Sequence, residues 1–258
     1  GFELGKDMIT FMIPGIVGDG LKMMWKAGAE KYGCGVEMIY YTRDQLNYMA
    51  LDMLFRQGDL LINQAGERFM NESMMGNTTF TGNAIYAQVG HIAYSILDGR
   101  TAKLYQKKGF NHISLVEPEY LADNIDGGIE DALEDEFEEF FMADTLEELA
   151  EKIGVPFKTL EETVDTYNEY CESGVDLEFA KEVRDMHTIT GKGGYIALRF
   201  YPGAYGSVGG VRINKNCEVL RPDGNIIPGL YSAGTDANTI YGDSYNFKLP
   251  GNTMGFAL

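Results

Sequence analysis

The chain has 258 residues, of which 45% are hydrophobic, enough apolar material for a sizeable core in one large domain or two. Its formal net charge of −18 opposes binding to nucleic acid and to anionic membrane surfaces. Cys34, Cys171 and Cys217 are odd in number and far apart, and His91, His112 and His187 are equally scattered, so neither a disulfide framework nor a protein-bound zinc is expected. No run of about 18 apolar residues occurs, hence no direct membrane insertion through a helix is expected.

Near the start, Gly18-Asp19-Gly20 forms a turn before a helix whose Leu21, Met24, Trp25 and Gly28 share one face. Residues 36–42, VEMIYYT, have the β-branched and aromatic character of a strand. Residues 58–72, GDLLINQAGERFMNE, read as a hairpin turning at Gln64-Ala65-Gly66. From Glu117 to Glu151 the chain is dense in Asp and Glu, the pattern of a solvated surface. Inside and beyond this run lies a helical hairpin. Thr145 and Glu148 form a capping box, and Leu146, Leu149, Ala150 and Ile153 make the apolar stripe of its first helix. Gly154 suits the end of that helix and Pro156 the start of the next, which continues through Leu160, Val164 and Tyr167. The last segment alternates short β-rich runs with Gly, Pro and Asp-Gly turns, and it closes on LPGNTMGFAL, the opening of a helix whose free N–H groups suit an electron-rich ligand.

Three stretches together carry a resemblance: GDGLKMMWKAGA, GDLLINQAGERFMNE, and the run from GSVGGVRINKNCEVL through IPGLYSAGT to LPGNTMGFAL. In this order they resemble the FAD-dependent fumarate reductase and succinate dehydrogenase flavoproteins, in particular their soluble enoate-reductase branch. The resemblance implies an α+β fold in which α/β FAD-domain segments, residues 1–72 and 193–258, flank an inserted, largely helical capping domain, residues 73–192. No GxGxxG fingerprint occurs anywhere in the chain, so it reads as a piece of a larger flavoprotein whose FAD is not retained by this stretch alone.

The roles of the site residues are likewise what the resemblance implies. Glu72 matches a glutamate of the proton relay, whose arginine partner four residues on is Gly76 here. Arg100 and Lys103 bracket the place of a catalytic arginine after Asp98. Tyr205 or Gly206 takes the place of a substrate-binding histidine, and Lys248 that of a substrate arginine, with Tyr41 a further substrate contact. Taken alone, each also has a structural reading: Glu72 as a cap, Tyr201 and Tyr205 as packed aromatics, Arg100 as a solvated residue after an Asp-Gly turn. Cofactor contacts fall on Asp19, Gly209, Gly210, Gly234, Thr235, Asp236, Gly251, Asn252, Thr253 and Met254, with Thr235 standing where the family has a glutamate and Asp236 able to substitute. No metal site is expected.

The function this implies is reduction of an activated C=C bond by hydride from FAD, on a small unsaturated acid or enone other than fumarate, with a cytochrome or reduced flavin carrier as electron donor. YNFKLPGNTMGFAL and the nearby tyrosines also resemble flavin-dependent ketosteroid dehydrogenases acting on a large apolar ring. From another class, the chain reads as a non-catalytic module presenting an acidic face, which a flavin spectrum in the full-length protein would exclude. Without the pyrophosphate-cradling fingerprint the chain itself is predicted to bind FAD weakly or not at all. Titration followed by flavin fluorescence checks this, and stoichiometric submicromolar binding would overturn it.

Overall fold

A computed structural model of the chain describes residues 8–10, 15–112, 119–238, 240–241 and 245. In chain order the elements are β1 (Ile9–Thr10), α1 (Asp19–Lys26), β2 (Lys31–Tyr41), α2 (Met49–Phe55), β3 (Leu60–Asn63), α3 (Thr78–Tyr86), β4 (Ala93–Asp98), α4 (Gly99–Lys108), α5 (Ile125–Glu134), β5 (Phe140–Ala143), α6 (Leu146–Ile153), α7 (Phe157–Ser173), β6 (Tyr195–Val211), β7 (Glu218–Leu220), β8 (Ile226–Tyr231) and β9 (Ala237–Asn238). The fold is α+β. Two compact units arise, one of Tyr40–Gly76 and Thr81–Pro202, the other of Gly1–Ile39, Asn77–Phe80 and Gly203–Leu258.

The larger unit is built around an antiparallel sheet in the order β3-β4-β6-β5, with β4 and β5 on opposite edges of the first half of β6. Its strands are apolar on both faces because both faces are covered. Leu61, Ala93, Leu97, Ile196 and Leu198 pack with residues of α2, α4 and α5. Their neighbours Leu60, Ile62, Tyr94, Ile96 and Ala197 turn the other way and pack with α6 and α7. Alternation along each strand thus assigns its buried apolar residues to one or other of two helical layers. Patterning had located α6, α7 and the strand of the 58–72 segment, but not α2, α4, α5 or the rest of the sheet between the two layers.

The helical hairpin forms as expected. The Thr145 hydroxyl accepts from Glu148 N at 3.2 Å, and the Glu148 carboxylate accepts from Thr145 N at 3.3 Å. Gly154 ends α6 in the left-handed region, φ 72°, where a side chain would be strained. Two expectations change. The second strand of the 58–72 hairpin shrinks to one bridge between Ile62 and Arg68, because Arg68 turns inward and the chain then winds into a 3-10 turn at Glu72–Met74. Within the acidic run Glu139 is buried rather than solvated, held by Arg199 and by the Tyr201 hydroxyl at 3.0 Å.

The smaller unit packs Met24 and Ala29 with Val211, Val219 and Ile227, and Leu21 and Trp25 lie against that cluster. β1 runs parallel to β6 at Gly203–Ala204, and β9 pairs antiparallel with Gly209–Gly210. β7 and β8 form a hairpin closed at Asp223-Gly224, where Asp223 accepts from Asn225 N at 3.0 Å and Gly224 takes φ 83°.

Because the Thr145 cap is exposed and touches only its own helix end, Thr145→Ala should cost about 1 kcal/mol of stability. Chemical denaturation would show a lowered midpoint with an unchanged slope.

Candidate functional site

In the larger unit the end of the 58–72 segment and the loop after α7 meet on a buried ion cluster. Arg68 donates through Nε and Nη2 to the two oxygens of Glu72 at 2.9 and 2.7 Å, and through Nη1 and Nη2 to those of Asp176 at 3.1 and 2.8 Å. Lys181, wholly buried, places Nζ 3.6 Å from Glu72 and donates to the Tyr167 hydroxyl at 2.8 Å and to Asp59 O at 3.1 Å. Burial alone would raise the Asp176 carboxyl, but the Arg68 hydrogen bonds override it and hold that group at about 2. Burial pushes the Lys181 ammonium down, opposed by the charges of Glu72 and Asp59.

Glu72 therefore sits with Arg68, Lys181 and the Leu61 amide. Arg100 is placed elsewhere. It follows Asp98, which caps α4 by accepting from Thr101 N at 2.9 Å, and its Nη2 donates to the Thr188 carbonyl and to the Thr188 hydroxyl at 2.8 Å. No hydrogen bond or ion pair joins Arg100 to Glu72 among the described residues. Tyr41 is buried, and its hydroxyl has no hydrogen-bond partner among them. Burial raises the Tyr41 phenol far above its ordinary value, with Arg43 opposing.

Two imidazoles missed by sequence reasoning lie in the same unit. His187 Nδ1 is 3.1 Å from Asp59 Oδ1, and the Tyr105 hydroxyl is 3.3 Å from that nitrogen. His112 Nε2 is 3.1 Å from Oδ1 of the fully buried Asp185. Burial would raise Asp185, but the His112 hydrogen bond holds it below the ordinary carboxylate range. Scattered spacing along the chain gave no signal for either pair, because the folding of the 176–187 loop creates both.

In the smaller unit the structure brings together Gly20, Gly210 and Asp236. A β-carbon at Gly20 would collide with the Asp236 carboxylate, and one at Gly210 with the Asp236 carbonyl. One at Gly209 would lie 2.7 Å from the backbone of Tyr32 and Gly33. The Gly-Gly pair thus permits close approach of this chain's own backbone. Asp19 is solvated, 3.4 Å from Lys22, Thr235 is exposed, and Gly234 is a left-handed turn residue. Tyr205 is exposed on β6. Beside it, Gly206 faces Glu37 of β2, where a β-carbon at 206 would lie 2.9 Å from Oε2. Glu37 is 3% exposed, its Oε1 has no hydrogen-bond partner among the described residues, and burial pushes its carboxyl up to about 7. Lys248, Gly251, Asn252, Thr253 and Met254 lie outside the described residues.

Residues 2–254 match the FAD binding domain family, and the chain belongs to it. It is 34% identical over 251 residues to vinyl phenol reductase of Lactiplantibacillus plantarum, covering 93% of this chain and 50% of that protein. It is 30% identical over 255 residues to fumarate reductase (cytochrome) of Shewanella frigidimarina, covering 96% and 38%. The chain thus spans about half the length of the first relative and less of the second. The solved 3-ketosteroid delta1-dehydrogenase of Sterolibacterium denitrificans shares the fold, with TM-score 0.70 and 24% identity over 98% of this chain and 47% of that one.

A carboxyl raised from 4.5 to about 7 keeps its proton in the folded chain while the unfolded chain releases it. Stability from this group is therefore present at low pH and is lost as pH rises from about 4.5 through 7. Between pH 5 and 8 the loss should be about 2.5 kcal/mol, and Glu37→Gln should remove that part of the slope. Denaturation curves at both pH values compare the two proteins; equal slopes would overturn the assignment.

Proposed function

We propose that this chain is part of an FAD-dependent reductase of activated C=C bonds, acting on an unsaturated acid, enone or similarly activated alkene, with fumarate a poor substrate. The observation that carries this reading is membership of the FAD binding domain family together with 34% identity to vinyl phenol reductase. Against fumarate stand Gly76, which offers no side-chain charge, and Tyr205 and Lys248, which cannot form the forked grip that arginine gives a carboxylate.

FAD, when bound, supplies the hydride. Asp19, Gly209, Gly210, Gly234, Thr235 and Asp236, with the helix start at Gly251, Asn252, Thr253 and Met254, are the residues that would hold it. The Gly20–Asp236 contact supports this reading by fixing the GDG turn, the Gly-Gly strand and the 234–236 turn against one another. Tyr41, whose buried hydroxyl has no hydrogen-bond partner among the described residues, has a donor for a substrate oxygen. Lys248 would offer a point charge and Tyr205 a hydroxyl for a substrate oxygen. Glu72, gripped by Arg68 and Lys181, is held in place and suits a proton path better as its fixed end than as its mobile carrier. Arg100, anchored on Thr188, would supply positive charge. The electron donor would be a cytochrome or a reduced flavin carrier.

A second reading shares the fold and takes a steroid enone, supported by 29% identity over 234 residues to a 3-oxosteroid 1-dehydrogenase of Mycobacterium tuberculosis. Oxidation of a reduced dye by the full-length protein, with 4-vinylphenol, an aryl acrylate, fumarate and a steroid enone as acceptors, tests both. Turnover of the first two well above fumarate is the expected result. A steroid enone as best acceptor favours the second reading, and fumarate as best acceptor overturns the first.

A further inference from the structure

In the smaller unit the backbones of β2 and β6 come close at their glycines. A β-carbon at Gly209 would lie 2.7 Å from the Gly33 backbone, and one at Gly35 would lie 3.7 Å from Val208. One at Gly206 would lie 2.9 Å from Glu37 Oε2. The two strands pair, and as β2 advances from 33 to 37 its contacts run back along β6 from 209 to 206. Glu37 thus stands three strand residues, about 10 Å, from the Gly209–Gly210 pair. Gly20, Gly234 and Asp236 belong to the same unit.

Glu37 is almost wholly buried, and its side chain makes no hydrogen bond or ion pair among the described residues. Other buried carboxylates are answered: Glu72 by Arg68, Glu139 by Arg199 and Tyr201, Asp52 by Arg56. Burial alone acts on the Glu37 carboxyl, and no opposing charge draws it back. The titratable group its charge reaches is the Tyr241 phenol, which is raised first by burial, then by Tyr245 and Glu37. A carboxyl that keeps its proton is a hydrogen-bond donor as well as an acceptor. Buried with neither capacity used, it destabilises the chain that carries it, and a Met side chain would fill the place without that penalty. The penalty disappears when an acceptor from outside the chain meets the O–H.

We propose that Glu37, in its protonated form, donates a hydrogen bond to an uncharged acceptor atom of FAD, so that FAD binding is linked to a proton held at this carboxyl. This deepens the cofactor reading above and rests on it. The contact lies in the unit that carries Gly209, Gly210, Gly234 and Asp236. No covalent bond changes, and the proton stays on Glu37. An ionised Glu37 would offer no donor and would set a negative charge beside a dinucleotide that already carries phosphates.

The full-length protein, stripped of FAD and titrated with it at pH 6 and pH 8 while flavin fluorescence is followed, tests this. Affinity should be about tenfold weaker at pH 8, where about one chain in eleven still carries a proton on a group that titrates at about 7. Glu37→Gln, whose amide is a permanent donor, should match the wild type at pH 6 to within about threefold and lose the pH dependence. Glu37→Met should bind roughly 3- to 10-fold more weakly than the wild type at pH 6, again without pH dependence. In this chain without FAD, Glu37→Met should raise the denaturation midpoint at neutral pH. A lowered midpoint would assign the carboxyl a structural role and overturn the proposal. Equal wild-type affinity at the two pH values, or Glu37→Met binding like the wild type at pH 6, overturns it and leaves the cofactor reading intact. So does a pH dependence seen in the affinity for 4-vinylphenol but not for FAD, which puts the carboxyl on the substrate. A full-length protein that takes up no FAD overturns the cofactor reading and this proposal together.

Discussion

The larger unit depends on Arg68. Four of its hydrogen bonds go in forked geometry to the carboxylates of Glu72 and Asp176, both buried with it, and Nη1 also reaches the half-exposed Glu178 at 3.4 Å. Leaving either one without the guanidinium would expose an uncompensated charge to a low dielectric, a loss of about 3–5 kcal/mol. Asp176 belongs to the loop after α7, Glu72 to the turn after β3, so one side chain ties segments more than a hundred residues apart. Everything the loop carries onward inherits that placement: Lys181 reaching Asp59, Asp185 reaching His112, and His187 reaching Asp59. Asp176 also accepts from the amides of Glu178, Phe179 and Lys181, which fixes the loop backbone at its first turn.

How much of this was legible follows from the range of each interaction. The α6–α7 hairpin could be read because its capping box, stripe and Gly-Pro punctuation act within four or five residues. Strand β2 could be read from its composition, though it begins at Lys31, earlier than the VEMIYYT run. The sheet strands β4 and β5 could not be placed, since AYSILD and FFMA are apolar on both faces and carry no period that separates a buried strand from a helix. Glu139 sat in an acidic run that looked solvated, and its burial is made tolerable by Arg199 and Tyr201, about 60 residues on, and by Arg43, 96 residues before it. The family and cofactor class were legible from three glycine-rich stretches in order. The two His–Asp pairs were not, because a pairing across 73 or 128 residues leaves no local trace.

The glycines teach a related point about the smaller unit. Gly-Gly pairs suggest a backbone bared for a ring system, yet Gly209 and Gly210 are needed first to let β6 lie against Gly33 and Asp236. Unmet hydrogen-bonding atoms are the better pointer to a ligand. Glu37 Oε1 and the Tyr41 hydroxyl are buried without partners among the described residues, and desolvating such groups without compensation costs stability. A chain tolerates that where something outside it completes the bond.

The same reasoning bears on how charge is used at position 76. An arginine there would be permanently protonated and would carry its charge on a long side chain needing its own support. Glycine removes that charge and leaves His112, already braced by Gln57 and Asp185, with no side chain from position 76 against its ring.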